Sequence, residues 1–198
     1  MPHPAPRRLG LLGGTFDPPH LGHLAVARTV LAQVGLDRVD LLVANDPWQK
    51  TESRSVTPAT LRREMAEALV EGHVGLGVDD REIRRGGPTY TADTLEEMQR
   101  EQPDVQIFLI VGADTAQRLS TWHRPEVVRS LSTLVIVNRD GQHQASNADS
   151  DLHVSMQPVE ASSTQIRACV ARGESIRHLT TDGVIRIIEA NGLYRSAQ

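Results

Sequence analysis

The chain has 198 residues, 39% of them hydrophobic, and a formal net charge of −4. That length and apolar content suit one buried core and a single domain, while the negative balance offers no basic field of the kind nucleic acid needs. A lone cysteine excludes an intramolecular disulfide, and neither a signal-peptide core nor a membrane-length apolar run is visible, which points to a cytoplasmic protein with no membrane partner. Cys169 reads as a small buried residue of a helix rather than a nucleophile.

After a tail with three prolines, Arg7 to Leu12 predicts a first strand and Leu21 to Val34 a first helix ended by Gly35. Between them lies the most informative stretch, Gly13-Gly14-Thr15-Phe16-Asp17-Pro18-Pro19-His20-Leu21-Gly22-His23. His20 and His23 are one helical turn apart, at a helix N-terminus whose backbone N–H groups already favour an anion. Gly13 and Gly14 permit close approach of a ligand, and Gly22 leaves room for a flat base.

Val39 to Ala44 predicts a second, buried strand of a parallel sheet. Residues 45–58 turn polar and irregular, as expected of a lid-like or binding loop leaving the carboxyl end of a strand. Lys50 lies within it and is the only lysine of the chain; a compact ammonium kept among arginines suggests a phosphate partner. A helix starting at Thr57-Pro58 runs through Leu61, Met65 and Leu69, its arginines and glutamates forming a solvated face. Val74 to Val78 predicts a short strand, Asp79 to Gly87 a charged connector, and Pro88 to Leu95 a threonine-capped helix start. Val105 to Val111 is the clearest strand. It ends in Gly112-Ala113-Asp114, where open α/β sheets bind ligands, and a helix leads on to Leu119 and Trp122. Leu134 to Val137 predicts a further strand, Gln142 to Ser150 a hydrophilic surface loop, and Leu152 to Met156 an outer strand. Ser162-Ser163-Thr164-Gln165-Ile166-Arg167 opens a helix with hydroxyls that cap it or receive a phosphate, and Thr181 to Asn191 forms the last helix. The alternation of strands and helices predicts an α/β fold: a doubly wound, Rossmann-like parallel sheet with a helical C-terminal part over about 162–198.

The first motif resembles the signature of the nucleotidyltransferase superfamily marked by His-x-Gly-His, here His20-Leu21-Gly22-His23, and its Gly-Gly-Thr-Phe-Asp-Pro form is similar to bacterial nicotinate mononucleotide adenylyltransferases. Ser162 to Arg167 resembles that family's second signature, with Ala161 where isoleucine is usual. Pro47-Trp48-Gln49-Lys50 departs from the family's Pro-Pro-His-Lys but retains the lysine.

The resemblance implies adenylyl transfer from ATP to nicotinate mononucleotide, giving nicotinate adenine dinucleotide and pyrophosphate, a step of NAD biosynthesis. It implies that His20, His23, Lys50 and Arg167 are catalytic, and that Gly13, Gly14, Thr15, Phe16, Gly22, Gly112, Asp114, Ser162, Ser163 and Thr164 join the histidines and Arg167 in binding ATP. Thr15, Lys50, Tyr90, Thr91, Trp122 and His123 would bind the acceptor. The expected cofactor is Mg²⁺ carried with ATP, with no carboxylate cluster to form a protein metal cage. Neighbouring readings are an adenylyltransferase for nicotinamide mononucleotide or pantetheine phosphate and a non-catalytic ATP-binding regulator. A dehydrogenase ranks last because Gly-x-Gly-x-x-Gly spacing is missing. The remaining histidines read as surface residues, and the oligomeric state is open between a monomer and a homo-oligomer.

Overall fold

In the computed structural model, which describes residues 7–46, 56–138 and 151–195, six strands form the sheet: β1 (Arg8–Gly14), β2 (Arg38–Val43), β3 (Leu76–Asp79), β4 (Gln106–Gly112), β5 (Thr133–Asn138) and β6 (Leu152–Ser155). Their order is β3-β2-β1-β4-β5-β6 and every pairing is parallel. Strand order reverses between β1 and β4, which opens a crevice at their carboxyl ends where such sheets bind ligands.

The helices are α1 (Leu21–Val34), α2 (Ala59–Val70), α3 (Arg81–Arg85), α4 (Thr91–Glu101), α5 (Ala113–Gln117), α6 (Pro125–Leu131), α7 (Ser163–Ala171) and α8 (Asp182–Ala190). They divide the core into two layers. On one face, Val26, Ala27 and Val30 of α1, Met65 and Leu69 of α2, Ile166 of α7 and Val184 and Ile188 of α8 pack on Val39, Leu41, Phe108 and Val135. On the other, Leu95 and Met98 of α4 and Val128 of α6 pack on Leu9, Leu11, Leu109 and Leu134. Continuous apolar runs such as Ile107 to Val111 serve both faces, as a sheet covered on two sides requires.

Several expectations change. The helix from Thr57-Pro58 begins at Ala59 with Pro58 as its cap, and its arginines are not all solvated: Arg62 is 1% exposed. The strand expected from Val74 starts at Leu76, and Val74 itself is 96% exposed. The expected connector 79–87 contains α3. No threonine caps α4, whose cap residue is Tyr90; Thr89 instead accepts a hydrogen bond from the Asn45 N–H at 3.1 Å. His153, expected at the surface, is half-buried in β6. The reading of Gln142 to Ser150 as a loop, and most of the loop 45–58, lie outside the described residues. Cys169 is buried in α7, as its surroundings in sequence suggested. Among the described residues no helix is long and apolar enough to cross a membrane.

Candidate active site

The site is built around the segment from Gly13 to His23, which leaves β1 at the strand-order reversal. Phe16 adopts a left-handed conformation (φ 51°) and turns its buried ring beneath Gly14. A Cβ at Gly14 would stand 2.8 Å from that ring, so only glycine allows this fold-back. A cis peptide joins Asp17 to Pro18. Then the chain enters α1 with His20 as cap residue.

His20 and His23 come together as their spacing implied, with ring centroids 3.7 Å apart. The His20 N–H donates to His23 Nδ1 at 3.2 Å. A neutral His23 therefore carries its proton on Nε2, the form that donates to an anion. The Phe16 ring meets His23 edge-on at 5.0 Å and fixes it from the side. Gly22 has a different neighbour from the one expected. The space its missing side chain leaves is filled by the His20 ring and the Ala161 carbonyl, 2.9 and 3.3 Å from an ideal Cβ. Gly22 thus seats a histidine.

The carbonyls of this segment are tied down from distant parts of the chain. Thr15 O accepts from Arg62 Nη1 at 2.8 Å, Asp17 O from Arg167 Nη1 at 2.8 Å, Pro18 O from the Ser163 hydroxyl at 2.8 Å and Pro19 O from the Thr180 hydroxyl at 3.0 Å. The Asp17 carboxylate accepts from the Tyr194 hydroxyl at 2.6 Å. Burial and the facing Asp17 carboxylate push that hydroxyl far above its ordinary range, so it stays protonated and donating. With carbonyls held from outside, the segment keeps one conformation, and its N–H dipoles have a fixed direction.

The second signature accordingly supports the first. Ser162 caps α7, its hydroxyl accepting from the Gln165 N–H at 3.1 Å. Ser163 holds Pro18, and Thr164 accepts from Arg167 Nη2 at 3.1 Å. Gly112 and Asp114 lie across the crevice, at the end of β4 and in the exposed first turn of α5.

Of the expected acceptor residues, Tyr90, Thr91, Trp122 and His123 lie at the head of α4 and just before α6, while Thr15 belongs to the segment after β1. Tyr90 and His123 stack at 4.4 Å between centroids, and Thr91 is the first residue of α4. Trp122 follows a single 3₁₀ turn, Leu119–Thr121, half-buried against the second core layer. Arg124, itself left-handed at φ 53°, anchors this turn to α4 through Asp93 at 3.3 Å and through Glu96. Lys50 and Trp48 lie outside the described residues. Sequence reasoning missed Arg62, Asn45, Thr180 and Tyr194, whose hydrogen bonds hold the segments that carry the expected site residues.

A parallel sheet with this reversal, carrying a histidine pair at the N-terminus of the first helix, defines a nucleotide-binding α/β protein. The model of the cytidylyltransferase-like family matches residues 11–169, and the chain belongs to that family of nucleotidyltransferases. Its relatives are more particular. It is 39% identical to a protein of Methylibium petroleiphilum, over 92% of this chain and 88% of that one, and 40% identical to one of Gemmatimonas aurantiaca, over 95% and 92%; both carry the name "Probable nicotinate-nucleotide adenylyltransferase". In fold it is similar to the Plasmodium falciparum nicotinic acid mononucleotide adenylyltransferase complexed with NaAD, with a TM-score of 0.78, 16% identity and coverage of 95% of this chain and 97% of that one.

Proposed function

We propose that this nucleotidyltransferase transfers the adenylyl group of ATP to nicotinate mononucleotide, forming nicotinate adenine dinucleotide in NAD biosynthesis. A 5′-phosphate oxygen of the acceptor attacks the α-phosphorus of ATP, the bond from that phosphorus to its bridging oxygen breaks, and pyrophosphate leaves. The observation that carries the reading is the histidine pair at the N-terminus of α1, where backbone and side-chain donors can meet a polyphosphate, in a chain whose relatives bear the corresponding name; the Tyr90–His123 ring pair at the head of α4 supports the acceptor half.

Such a transfer asks for alignment and for donors aimed at the charge that develops on the phosphates. His20 and His23 receive the α- and β-phosphate oxygens at the N-terminus of α1, beside the backbone of Gly13, Gly14, Thr15 and Phe16. Arg167 and Lys50 add positive charge, Asp114 meets the ribose beside Gly112, Ser163 ties the loop to α7, and Ser162 and Thr164 cap that helix and orient Arg167. Gly22 acts by admitting the His20 ring. On the acceptor side Trp122 and Tyr90 flank the pyridine ring, His123 borders it, and the start of α4 at Thr91 presents N–H groups to its carboxylate.

No group of three or more His, Cys, Asp or Glu side chains among the described residues is arranged to hold a metal ion; a divalent ion such as Mg²⁺ would arrive with the nucleotide, held by its phosphate oxygens. When bound, that ion neutralises charge on the nucleotide's oxygens. The whole chain, 1–198, is read as one nucleotidyltransferase domain.

The test is pyrophosphate release from Mg-ATP with nicotinate mononucleotide and, in parallel, with nicotinamide mononucleotide. A strong preference for the acid is expected. Equal rates would overturn the acceptor assignment, and silence with both would overturn the transfer itself.

A further inference from the structure

Arg62 is the largest fully buried side chain of the described residues, and its guanidinium is shared among backbone carbonyls. Nη1 donates to Thr15 O at 2.8 Å and to Ala44 O at 2.6 Å, Nη2 to Asn45 O at 2.8 Å and Nε to Thr57 O at 2.8 Å. One planar fork therefore joins the phosphate-facing segment to the carboxyl end of β2 and to the residues before α2. Only a guanidinium can do this, since an ammonium lacks both the reach and the fixed plane. Burial lowers the Arg62 pKa, yet its ordinary value is so high that it stays charged.

Asn45 continues the connection. Its N–H donates to Thr89 Oγ1 at 3.1 Å and its side-chain amide to Gly87 O at 3.0 Å. The adjacent Asp46 pairs with Pro88 in an isolated parallel bridge. Tyr90 and Thr91, at the head of α4, come next in the chain. An unbroken series of short hydrogen bonds thus runs from Thr15, on the nucleotide side, through Arg62 and Asn45 to the residues that open the acceptor side.

We propose that Arg62 and Asn45 are positioning residues, a spacer that sets the distance between the phosphate-facing segment and the start of α4. The role rests on the adenylyl-transfer reading, because two substrates bound on opposite sides react only when aligned in line. A misplacement of about 1 Å can cost on the order of 100-fold in rate without loss of binding. The spacer holds that separation through backbone carbonyls and the Thr89 hydroxyl, so it needs no contact with either substrate.

The experiment uses the full-length chain with Thr89→Val, Asn45→Ala and Arg62→Lys. For the first two, kcat with Mg-ATP and nicotinate mononucleotide is compared with separate dissociation constants for each substrate and with Tm. The expected result is a fall in kcat of roughly tenfold or more, with both dissociation constants close to the parent and Tm lowered only by the few degrees that one lost hydrogen bond costs. A kcat near the parent value, a loss matched by weaker binding, or unfolding at the assay temperature overturns the proposal. For Arg62→Lys, amide hydrogen exchange is followed at residues 14–17 and 87–92. Faster exchange at both supports the spacer; a change confined to the carbonyl partners of Arg62 overturns it. A parent that fails to turn over these substrates refutes the adenylyl-transfer reading alone, since the exchange comparison still decides the connection.

Discussion

The Tyr194 hydroxyl donates to the Asp17 carboxylate at 2.6 Å, across 177 positions of chain. Asp17 is buried at the turn before the histidine pair, so the end of the chain helps to shape the loop near its beginning. Thr57 donates in turn to the Tyr194 oxygen at 3.3 Å. Tyr194→Phe removes the donor and keeps the ring. Loss of about 1–3 kcal/mol of stability is expected, the cost of taking a hydrogen-bond donor from a buried carboxylate, together with weaker ATP binding. Chemical denaturation and ATP titration of the variant test both, and an unchanged midpoint would show that Asp17 does not depend on this hydroxyl.

His20→Ala and His23→Ala each remove an oriented donor from the N-terminus of α1. Each should lower kcat by roughly 10²–10³-fold, the usual effect of losing one preorganised donor to a developing oxyanion. Turnover within a few-fold of the parent would remove that histidine from the transfer step.

Gly22→Ala places a methyl group 2.9 Å from His20 Nδ1 and 3.3 Å from the Ala161 carbonyl. Overpacking of this kind costs about 1–3 kcal/mol, and here the yielding group is the His20 ring. The variant should stay folded while losing activity nearly as His20→Ala does. Full activity would mean that the ring can move aside without consequence.

Trp122→Ala addresses the acceptor side alone. Aromatic stacking contributes about 0.5–1.5 kcal/mol, so KM for nicotinate mononucleotide should rise by roughly 2- to 12-fold while KM for ATP stays put. Equal increases for both substrates would point to a general disturbance of the 3₁₀ turn instead.

Glu82 supplies a pH dependence. It is 2% exposed and accepts from the Thr94 hydroxyl at 2.8 Å; burial pushes its carboxyl up to about 7, the Thr94 hydrogen bond and Arg85 only partly opposing this. Folding therefore disfavours the ionised form. The stability contribution of the neutral acid is complete below its unfolded value near 4.5 and is lost as pH rises through about 7. Glu82→Gln keeps an acceptor for Thr94 and cannot ionise. Relative to the parent it should gain on the order of 3 kcal/mol between pH 4.5 and 8, read from denaturation midpoints across that range. A constant difference between the two proteins would show that Glu82 keeps its ordinary pKa.

Local chemistry by itself determined much of this protein. The alternation of apolar runs with helical periods specified an α/β sheet, because the central strands are buried on both faces and the longer helices on one. The bounds of α1 and the pairing of His20 with His23 also follow from sequence, since a cap residue and the third residue of the helix it opens meet across the first turn. One further signal is legible in the sequence. Arg62 stands at i, i+3, i+4, i+7 with Met65, Ala66 and Leu69, which puts an arginine on an apolar stripe and marks it as buried. What only the tertiary structure decided is where that charge finds its partners. The carbonyls of Thr15, Ala44 and Asn45, the hydroxyls of Thr180 and Tyr194 that bind the same loop, and the ring that fills the space above Gly22 are brought together by sheet order and helix packing. Backbone acceptors are present at every residue, so no spacing in the sequence singles them out; only their direction in the folded chain does.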